Sequence, residues 1–469
     1  MKASTNNLHN ISIYIHIPFC VRKCNYCDFL SFSAKNATKK RYFEALVNEI
    51  RCGKTFLRNK KIVKSIFIGG GTPSSVDASY IESVLDAVYE SFDVANDAEI
   101  SIEVNPGTVT RKSLDIYKKT GINRISIGCQ SLNDYELKIL GRIHDSSKFY
   151  ETYKEVRAAG FSNINIDIMS ALPGQSLESY KNTLNKIIQL RPEHISAYSL
   201  IIEEGTPFYD KYKDVIERDS YDIEDELVKE GLVENNSTDK DDALIKDGIV
   251  KKIDIGKKNE LALKTLEGSS KNSNNNLYDE KNLFAPLPTE ETERRMYEDT
   301  AIILEKNGYH RYEISNYARN DGDFECYHNK AYWKRFDYLG FGIGSAAMVS
   351  DERFTNISDI YTYCDYWCDF DICKDNLSVK YESRPLLEHD KLSINACMEE
   401  TMFLGLRMDE GIKLKEFEDK FGHSIYEVYG DVIERLSAGG LIIIKNDSLR
   451  LTNKGVEVSN YVLSNFLLE

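Results

Sequence analysis

Ile13, Ile15 and Ile17 alternate with Tyr14 and His16 in the segment ISIYIHIP (11–18), and this beat is the strongest constraint on the fold. It returns with Ile100, Ile102 and Val104 around Ser101 and Glu103, and with Ile125 and Ile127 around Arg124 and Ser126. Ile164, Ile166 and Ile168 repeat it around Asn165 and Asp167. Residues two apart share one face of a strand, so each segment carries an aliphatic face and a polar one. Buried parallel strands normally read as continuous apolar runs. These strands therefore have helices on one side and something polar on the other.

Six strand-like segments (11–18, 64–70, 98–104, 123–128, 163–169 and 194–201) are separated by helical stretches such as Lys39–Leu57, Ala78–Phe92 and Lys148–Ala159. Alternation of this kind predicts an α/β fold with a parallel sheet and right-handed crossovers. A closed eight-stranded barrel fills its lumen with branched apolar side chains. The polar face excludes that filling and predicts an open, partial (β/α)6 TIM-like barrel whose interior is a ligand cavity. A chain of 469 residues has room for more than this unit. The expected division is a barrel over 1–211, a charged insertion over 212–286, a barrel extension over 287–389 and a C-terminal domain over 390–469.

Cys20, Cys24 and Cys27 follow the first strand in YIHIPFCVRKCNYCDF (14–29). Thiolates spaced C-x3-C-x2-C reach one compact metal centre. Iron–sulfur clusters are held by cysteine thiolates, usually four. Three in one loop leave one iron open to a small molecule. A structural zinc is the competing reading; it needs a fourth ligand, for which His16 is the nearby candidate. A disulfide is not expected, because MKASTNNLHN and the segment behind it do not read as a secretion signal. Reduced thiols and a cytoplasmic location follow from that reading.

Polar residues gather at the strand C-termini, where α/β sheets bind ligands. Gly69, Gly70 and Gly71 with Thr72 and Pro73 end the second strand, and Glu103 ends the third. Gln130 follows the fourth, Arg142 lies in LGRIH, and Asp167 ends the fifth. Glycines at a strand end let the backbone approach a ligand closely. With a net charge of −15, no nucleic-acid partner is expected. No apolar run approaches the ~20 residues of a membrane span.

The cysteine loop, GGGTP, EVNPGT, SIGCQS and NIDIM together resemble the radical S-adenosylmethionine (radical SAM) superfamily. The resemblance narrows to the branch that holds oxygen-independent coproporphyrinogen dehydrogenases and heme chaperones of the HemW type. It covers roughly Tyr14 to Pro207, with LPGQ (172–175) and EEGTPF (203–208) as further family words. It implies a [4Fe–4S] cluster on Cys20, Cys24 and Cys27, whose open iron is chelated by S-adenosylmethionine. It also implies that Tyr14, Gly70, Gly71, Thr72, Glu103, Gln130, Arg142 and Asp167 surround that cofactor.

Beyond about Asp210 the composition turns to Asp, Glu, Lys and Asn, including GSSKNSNNN (268–276), and predicts a surface insertion without a packed core. A helix over Thr289–Asn307, capped by Thr289 or Thr292, resumes the fold. His328, Asn329, Tyr332 and Trp333 then form H-N-x-x-Y-W, a word the heme-chaperone branch carries. An imidazole can ligate heme iron, two aromatics can cover a porphyrin, and Lys330, Lys334 and Arg335 can meet propionates. Read without the resemblance, the same word is a loop with Asn329 as a helix cap and two core aromatics. Cys364, Cys368 and Cys373 read as packing residues rather than a second cluster, and Cys326 as a remote candidate for a heme contact.

From Asp390 onward, two helices and a hairpin turning at Asn446-Asp447 resemble a winged-helix domain. The would-be reading helix, His423–Ala438, carries Glu427, Asp431 and Glu434 against Arg435 and would repel phosphate. Three functions compete. The first is a heme chaperone that delivers heme to acceptor hemoproteins, with a reductant protein as a further partner. The second is a coproporphyrinogen III dehydrogenase acting by radical oxidative decarboxylation. The third is a zinc-binding structural protein. The dehydrogenases carry a fourth cysteine where this chain has Phe29, and a longer segment before the first strand, where this chain has ten residues. Both features and the H-N-x-x-Y-W word favour the chaperone. One departure is Ala346, near which the family commonly carries a histidine.

Overall fold

The structure, a computed structural model, describes residues 10–57, 59–215, 285–369 and 377–468. The six expected strands are present as β1 (Asn10–Ile17), β2 (Ile62–Gly70), β3 (Asp93–Val104), β4 (Arg124–Gln130), β5 (Ile164–Ser170) and β6 (His194–Ser199). They pair in parallel and in sequence order. Six helices return the chain between them: α1 (Asn36–Gly53), α2 (Ala78–Ser91), α3 (Arg111–Lys119), α4 (Asp134–Ile139), α5 (Ser146–Ala158) and α6 (Leu177–Gln189). Asp77, Thr110, Asp145 and Ser176 start four of these by accepting a hydrogen bond from a first-turn N–H. Each such cap is worth about 1 kcal/mol.

The aliphatic face packs outward against these helices. Ile13, Ile15, Ile17, Ile125, Ile127, Ile164, Ile166 and Ile168 are all fully buried. Truncating one of them to alanine would cost about 2–5 kcal/mol. The polar face turns inward, and the sheet stays open, as the alternation requires.

The sheet is wider than the six repeats. After the helix α7 (Glu290–Lys306) come β7 (Tyr309–Arg311), β8 (Asn316–Arg319), the helix α8 (Tyr327–Trp333), β9 (Tyr338–Phe341), β10 (Ala346–Val349), β11 (Glu352–Asn356), α9 (Ile360–Cys368) and β12 (Leu386–Lys391). The strand order is β12-β11-β10-β9-β1-β2-β3-β4-β5-β6-β8-β7. β9 joins β1 as a seventh parallel strand, and β8 lies antiparallel to β6. Glu49 of α1 fastens the β9 edge: its buried carboxylate accepts from Gly342 N at 2.8 Å, Asn356 Nδ2 at 2.7 Å and Tyr363 OH at 2.6 Å. A buried carboxylate is tolerated when its oxygens are satisfied in this way.

Thr289 caps α7 as expected, accepting from Thr292 N. Tyr212 and Ala285, placed by the sequence reading inside the insertion, are both buried. The Tyr212 hydroxyl donates to Ala285 O at 2.7 Å. The two ends of that segment therefore meet, packed with Phe208, Leu172 and Ile139. The stretch between them, 216–284, lies outside the described residues, as does Cys373.

A second core begins after β12. The helices α10 (Ile394–Gly405), α11 (Leu414–Phe421) and α12 (Ile425–Ala438) enclose Met402, Phe417, Tyr429, Leu449 and Phe466 with a small sheet of β13 (Ile412–Lys413), β14 (Ile442–Lys445) and β15 (Ser448–Leu451). Asn446 and Asp447, with φ of 52° and 60°, make the expected tight turn. The described chain closes with two short helices, Asn453–Glu457 and Ser459–Ser464, broken at Val458.

Candidate functional site

The cysteine loop is strapped to the rim of the barrel from two directions. Phe32 N donates to Pro18 O and Cys20 N to Phe32 O, which closes the loop on itself. Gly71 N and Thr72 N bond Ile17 O and Phe19 O, joining its base to the end of β2. The LGR turn holds the far side: Asn25 N donates to Leu140 O, and Arg22 Nη2 donates to Gly141 O at 2.6 Å. Phe208 N, in the EEGTPF word, donates to Asn25 O.

Cys20, Cys24 and Cys27 are free, partly exposed thiols that line one cavity of about 320 Å³. The same cavity is lined by Gly70, Gly71, Thr72, Glu103, Gln130, Arg142 and Asp167, so ten of the eleven residues expected for cluster and S-adenosylmethionine converge there. Tyr14 does not line it. Its hydroxyl bonds His16 Nδ1 at 3.0 Å, and its ring stacks on Phe67. His16 in turn backs Gly70: a Cβ at Gly70, whose φ is +111°, would sit 2.5 Å from the imidazole. His16 Nε2 bonds Leu30 O at 2.8 Å, so both ring nitrogens are engaged and neither is available to zinc.

The rim is polar, preorganised and short of partners. Arg142 Nη2 donates to Asn105 Oδ1 at 2.8 Å and to Gly128 O at 2.7 Å, which turns Nη1 toward Cys24 Sγ at 3.7 Å. Its Nε is buried with no partner among the described residues. Asn105 Nδ2 donates to Thr72 Oγ1, which leaves the threonine hydroxyl hydrogen for Cys20 Sγ at 3.5 Å. Glu103 receives one N–H, from Gly70 at 3.1 Å. Burial and the neighbouring Asp167 push its pKa up to about 8. Burial also raises the pKa of Asp167, against hydrogen bonds from Asn165, Ser126 and Ser196. Two destabilised acids facing one cavity are an electrostatic vacancy for a cation. Gln130 holds a φ of 65°, a left-handed conformation that costs a non-glycine residue energy and clusters at ligand sites. Its Oε1 accepts from Tyr198 OH at 3.0 Å.

Asn105, Ser126, Tyr198 and Tyr26 also line the cavity and were not singled out from sequence. Three of them obey the alternation already read: Asn105 is two beyond Glu103, Ser126 two before Gly128, and Tyr198 ends the beat His194, Ser196, Tyr198. Tyr26, inside the cysteine loop, carries no such signal.

The H-N-x-x-Y-W word forms α8, at the opposite end of β2 and β3. Its N-terminus is capped by Glu99, whose oxygens accept from Tyr327 N at 3.0 Å and His328 N at 3.1 Å. Asn329 is not the cap; the N-cap position is Cys326. His328 Nδ1 bonds Ser65 Oγ at 3.0 Å, and the ring lies 5.2 Å from that of Phe67. Burial lowers its pKa to about 4, so the imidazole is neutral near pH 7. Tyr332 is 45% exposed, whereas Trp333 packs under Arg407 at 4.5 Å beside Tyr312 and Met408. Trp333 is therefore turned into the protein, and of the two aromatics Tyr332, one turn beyond His328, is the exposed one. The expected propionate partners are also engaged. Lys330 pairs with Glu325, Lys334 with Glu410, and the buried Arg335 with Glu400 and Asp351. Arg335 ties the β10–β11 turn to α10 instead. Cys326 is buried, donates to Glu99 Oε1 and has its pKa raised by burial to about 12, which removes it as a thiolate ligand near neutral pH. Among the described residues no three His, Cys, Asp or Glu side chains gather on a single-ion position.

The Radical SAM superfamily model matches residues 14–187, and the HemN C-terminal domain matches residues 392–458. Coproporphyrinogen III oxidase (HemN) from Escherichia coli superposes with a TM-score of 0.69 at 20% identity, covering 98% of this chain and 90% of that one; this likeness concerns the fold. Fold and sequence thus define a radical SAM protein with a partial barrel. The heme chaperone HemW of Lactococcus lactis is 30% identical over 98% of this chain and 97% of its own length. That of Bacillus subtilis is 29% identical over 98% and 99%, and that of Escherichia coli 32% over 72% and 70%. The chain belongs to the heme chaperone HemW family.

Proposed function

We propose that this chain binds heme and hands it to acceptor hemoproteins, with a [4Fe–4S] cluster and S-adenosylmethionine held at the barrel rim. The observation that carries this reading is its 30% identity, end to end, with a heme chaperone. The rim supports the cofactors. A cubane spreads three thiolates over three irons, so it asks for a mouth lined by cysteines rather than for one convergent point. Cys20, Cys24 and Cys27 line such a mouth. The open iron supplies a chelation point for the amino and carboxylate groups of S-adenosylmethionine. On the protein side, Glu103 and Asp167 suit the amine hydrogens or ribose hydroxyls, and the unpartnered Nε of Arg142 suits the carboxylate. Gly70 and Gly71 keep the β2 edge bare, with Thr72 and Gln130 beside it.

For heme, the neutral His328 would supply a nitrogen ligand. Ser65 orients Nδ1, which leaves Nε2 for iron. Tyr332 is the exposed aromatic of the word, and Trp333 acts by holding α8 in place under Arg407. The propionates are met by groups other than Lys330, Lys334 and Arg335. We place the protein in the cytoplasm, with a reductant protein as electron donor and no nucleic-acid partner. Among the described residues no helix is long and apolar enough to cross a membrane.

The test is anaerobic reconstitution followed by heme loading and mixing with heme-free myoglobin as a generic acceptor. Heme should bind and then appear in the acceptor's Soret spectrum. A protein that binds no heme and instead decarboxylates coproporphyrinogen III would replace this reading with the dehydrogenase.

A further inference from the structure

Cys20 and Cys24 each face a side-chain hydrogen-bond donor, and one residue, Asn105, arranges both. Asn105 lies two residues beyond Glu103 on the inward beat of β3 and lines the rim cavity. Its carboxamide has one orientation. The Arg142 guanidinium can only donate, so Oδ1 faces Nη2 at 2.8 Å, and Nδ2 is left to donate to Thr72 Oγ1 at 2.8 Å. Having accepted from Asn105, the Thr72 hydroxyl keeps its hydrogen for Cys20 Sγ at 3.5 Å. On the other side, Asn105 Oδ1 and Gly128 O hold Nη2, and Nη1 donates to Cys24 Sγ at 3.7 Å.

Asn105 is itself held in place. Its N–H donates to Ser74 Oγ at 3.2 Å, and its carbonyl accepts from Thr108 N at 3.1 Å and Thr108 Oγ1 at 2.6 Å. Gly128 makes room for the side chain: a Cβ there would stand 3.0 Å from Asn105 Oδ1 and 3.1 Å from Arg142 Nη2. A cysteine that ligates a metal does so as a thiolate, which accepts and does not donate. Hydrogen bonds to such a sulfur are charge-assisted. Reduction adds one negative charge to an iron–sulfur cluster, so donors at its sulfurs stabilise the reduced state more than the oxidised one and raise the potential.

We infer that Asn105 is a positioning residue that sets how easily the cluster is reduced, by aiming the Thr72 hydroxyl at Cys20 and the Arg142 guanidinium at Cys24. This rests on the cluster reading proposed above. The step it governs is the transfer of one electron from a low-potential one-electron donor to [4Fe–4S]2+, which becomes [4Fe–4S]+ while the donor is oxidised. No proton moves and no bond breaks. Asn105→Asp separates the two arms: an ionised carboxylate still accepts from Arg142, but Thr72 must then donate to it rather than to Cys20.

The experiment is a potentiometric titration of the reconstituted full-length protein with dithionite, followed by the EPR signal of the reduced cluster, without S-adenosylmethionine. Asn105→Leu should keep its iron and sulfide, with an equilibrium constant for reduction about tenfold smaller, which is a midpoint about 59 mV lower for one electron. Asn105→Asp should fall at least as far, because it turns Thr72 away and adds a negative charge. Thr72→Val should fall by less, and should add nothing in the Asn105→Leu background, where the hydroxyl is already misaimed. A loaded Asn105→Leu protein with the wild-type midpoint would overturn the inference, as would a Thr72→Val effect undiminished in that background. If Asn105→Leu takes up no cluster, the midpoint of Asn105→Asp decides by the same criterion. A wild type that takes up no cluster would overturn the cluster reading itself, and the role of Asn105 with it.

Discussion

The two ends of the barrel differ in how far their polar groups are already satisfied. At the rim, three free thiols, an orphaned Arg142 Nε and two acids with raised pKa values face one cavity. At the floor, Glu99 caps α8, His328 is anchored by Ser65, and every cation of the H-N-x-x-Y-W segment has a carboxylate partner. An unsatisfied cluster is built to receive something, whereas a satisfied one is built to hold its own shape. The rim therefore reads as a cofactor seat. The floor reads as a rigid mount that presents one histidine.

If the floor is a mount, breaking it should cost stability rather than binding. Arg335→Ala removes a buried cation from Glu400, which keeps Arg353, and from the half-exposed Asp351, and should destabilise the protein by about 2–3 kcal/mol, measured by denaturant unfolding. A change below about 1 kcal/mol would show that these pairs are ornamental.

The rim should behave in the opposite way. Glu103→Ala and Asp167→Ala should weaken S-adenosylmethionine binding by about 1.5–3 kcal/mol while the cluster stays in place. The wild-type affinity should also depend on pH. With its pKa near 8, Glu103 is largely protonated at pH 7, and hydrogen bonds from the amine of the bound cofactor favour the ionised form. Affinity should therefore rise as the pH increases through 8 and level off above it. A flat profile between pH 6 and 9 would remove Glu103 from the contact.

A finer probe is Tyr198→Phe, which deletes the hydrogen bond that steadies the strained Gln130. Its expected effect on the same affinity is about 0.5–1.5 kcal/mol. The smallest expected effect concerns neither end. Because Tyr212 and Ala285 already touch, replacing 216–284 by a short Gly/Ser linker should change stability by under about 1 kcal/mol. Loss of the cluster from that variant would show that the segment packs on the rim.

The contrast also explains what the sequence could reveal. Rim residues follow from local rules: a strand alternates, so Glu103 and Asp167 must share the inner face with Ser101 and Asn165. Cys20, Cys24 and Cys27 declare themselves by spacing alone. The floor is assembled from Ser65, Glu99, His194, Tyr312 and Cys326, which come from five separate stretches of the chain, and no local pattern joins them. The ion pairs that engage Lys330, Lys334 and Arg335 were not legible for this reason, since their carboxylate partners are distant in sequence or unmarked. The seventh parallel strand escaped notice because Tyr338–Phe341 is four residues long and reads as part of a glycine-rich loop.

The division of labour between rim and floor is tested most directly by purifying Cys24→Ala and His328→Ala anaerobically and recording iron, sulfide and the heme Soret band of each. Cys24→Ala should lose the cluster and keep the wild-type heme spectrum. His328→Ala should keep the cluster, with a shifted Soret band and weaker heme retention. Wild-type retention should hold from pH 8 down to about 5, because burial keeps the His328 ring neutral to about pH 4. Heme bound by His328→Ala with an unaltered spectrum and affinity, or lost from Cys24→Ala together with the cluster, would contradict the account.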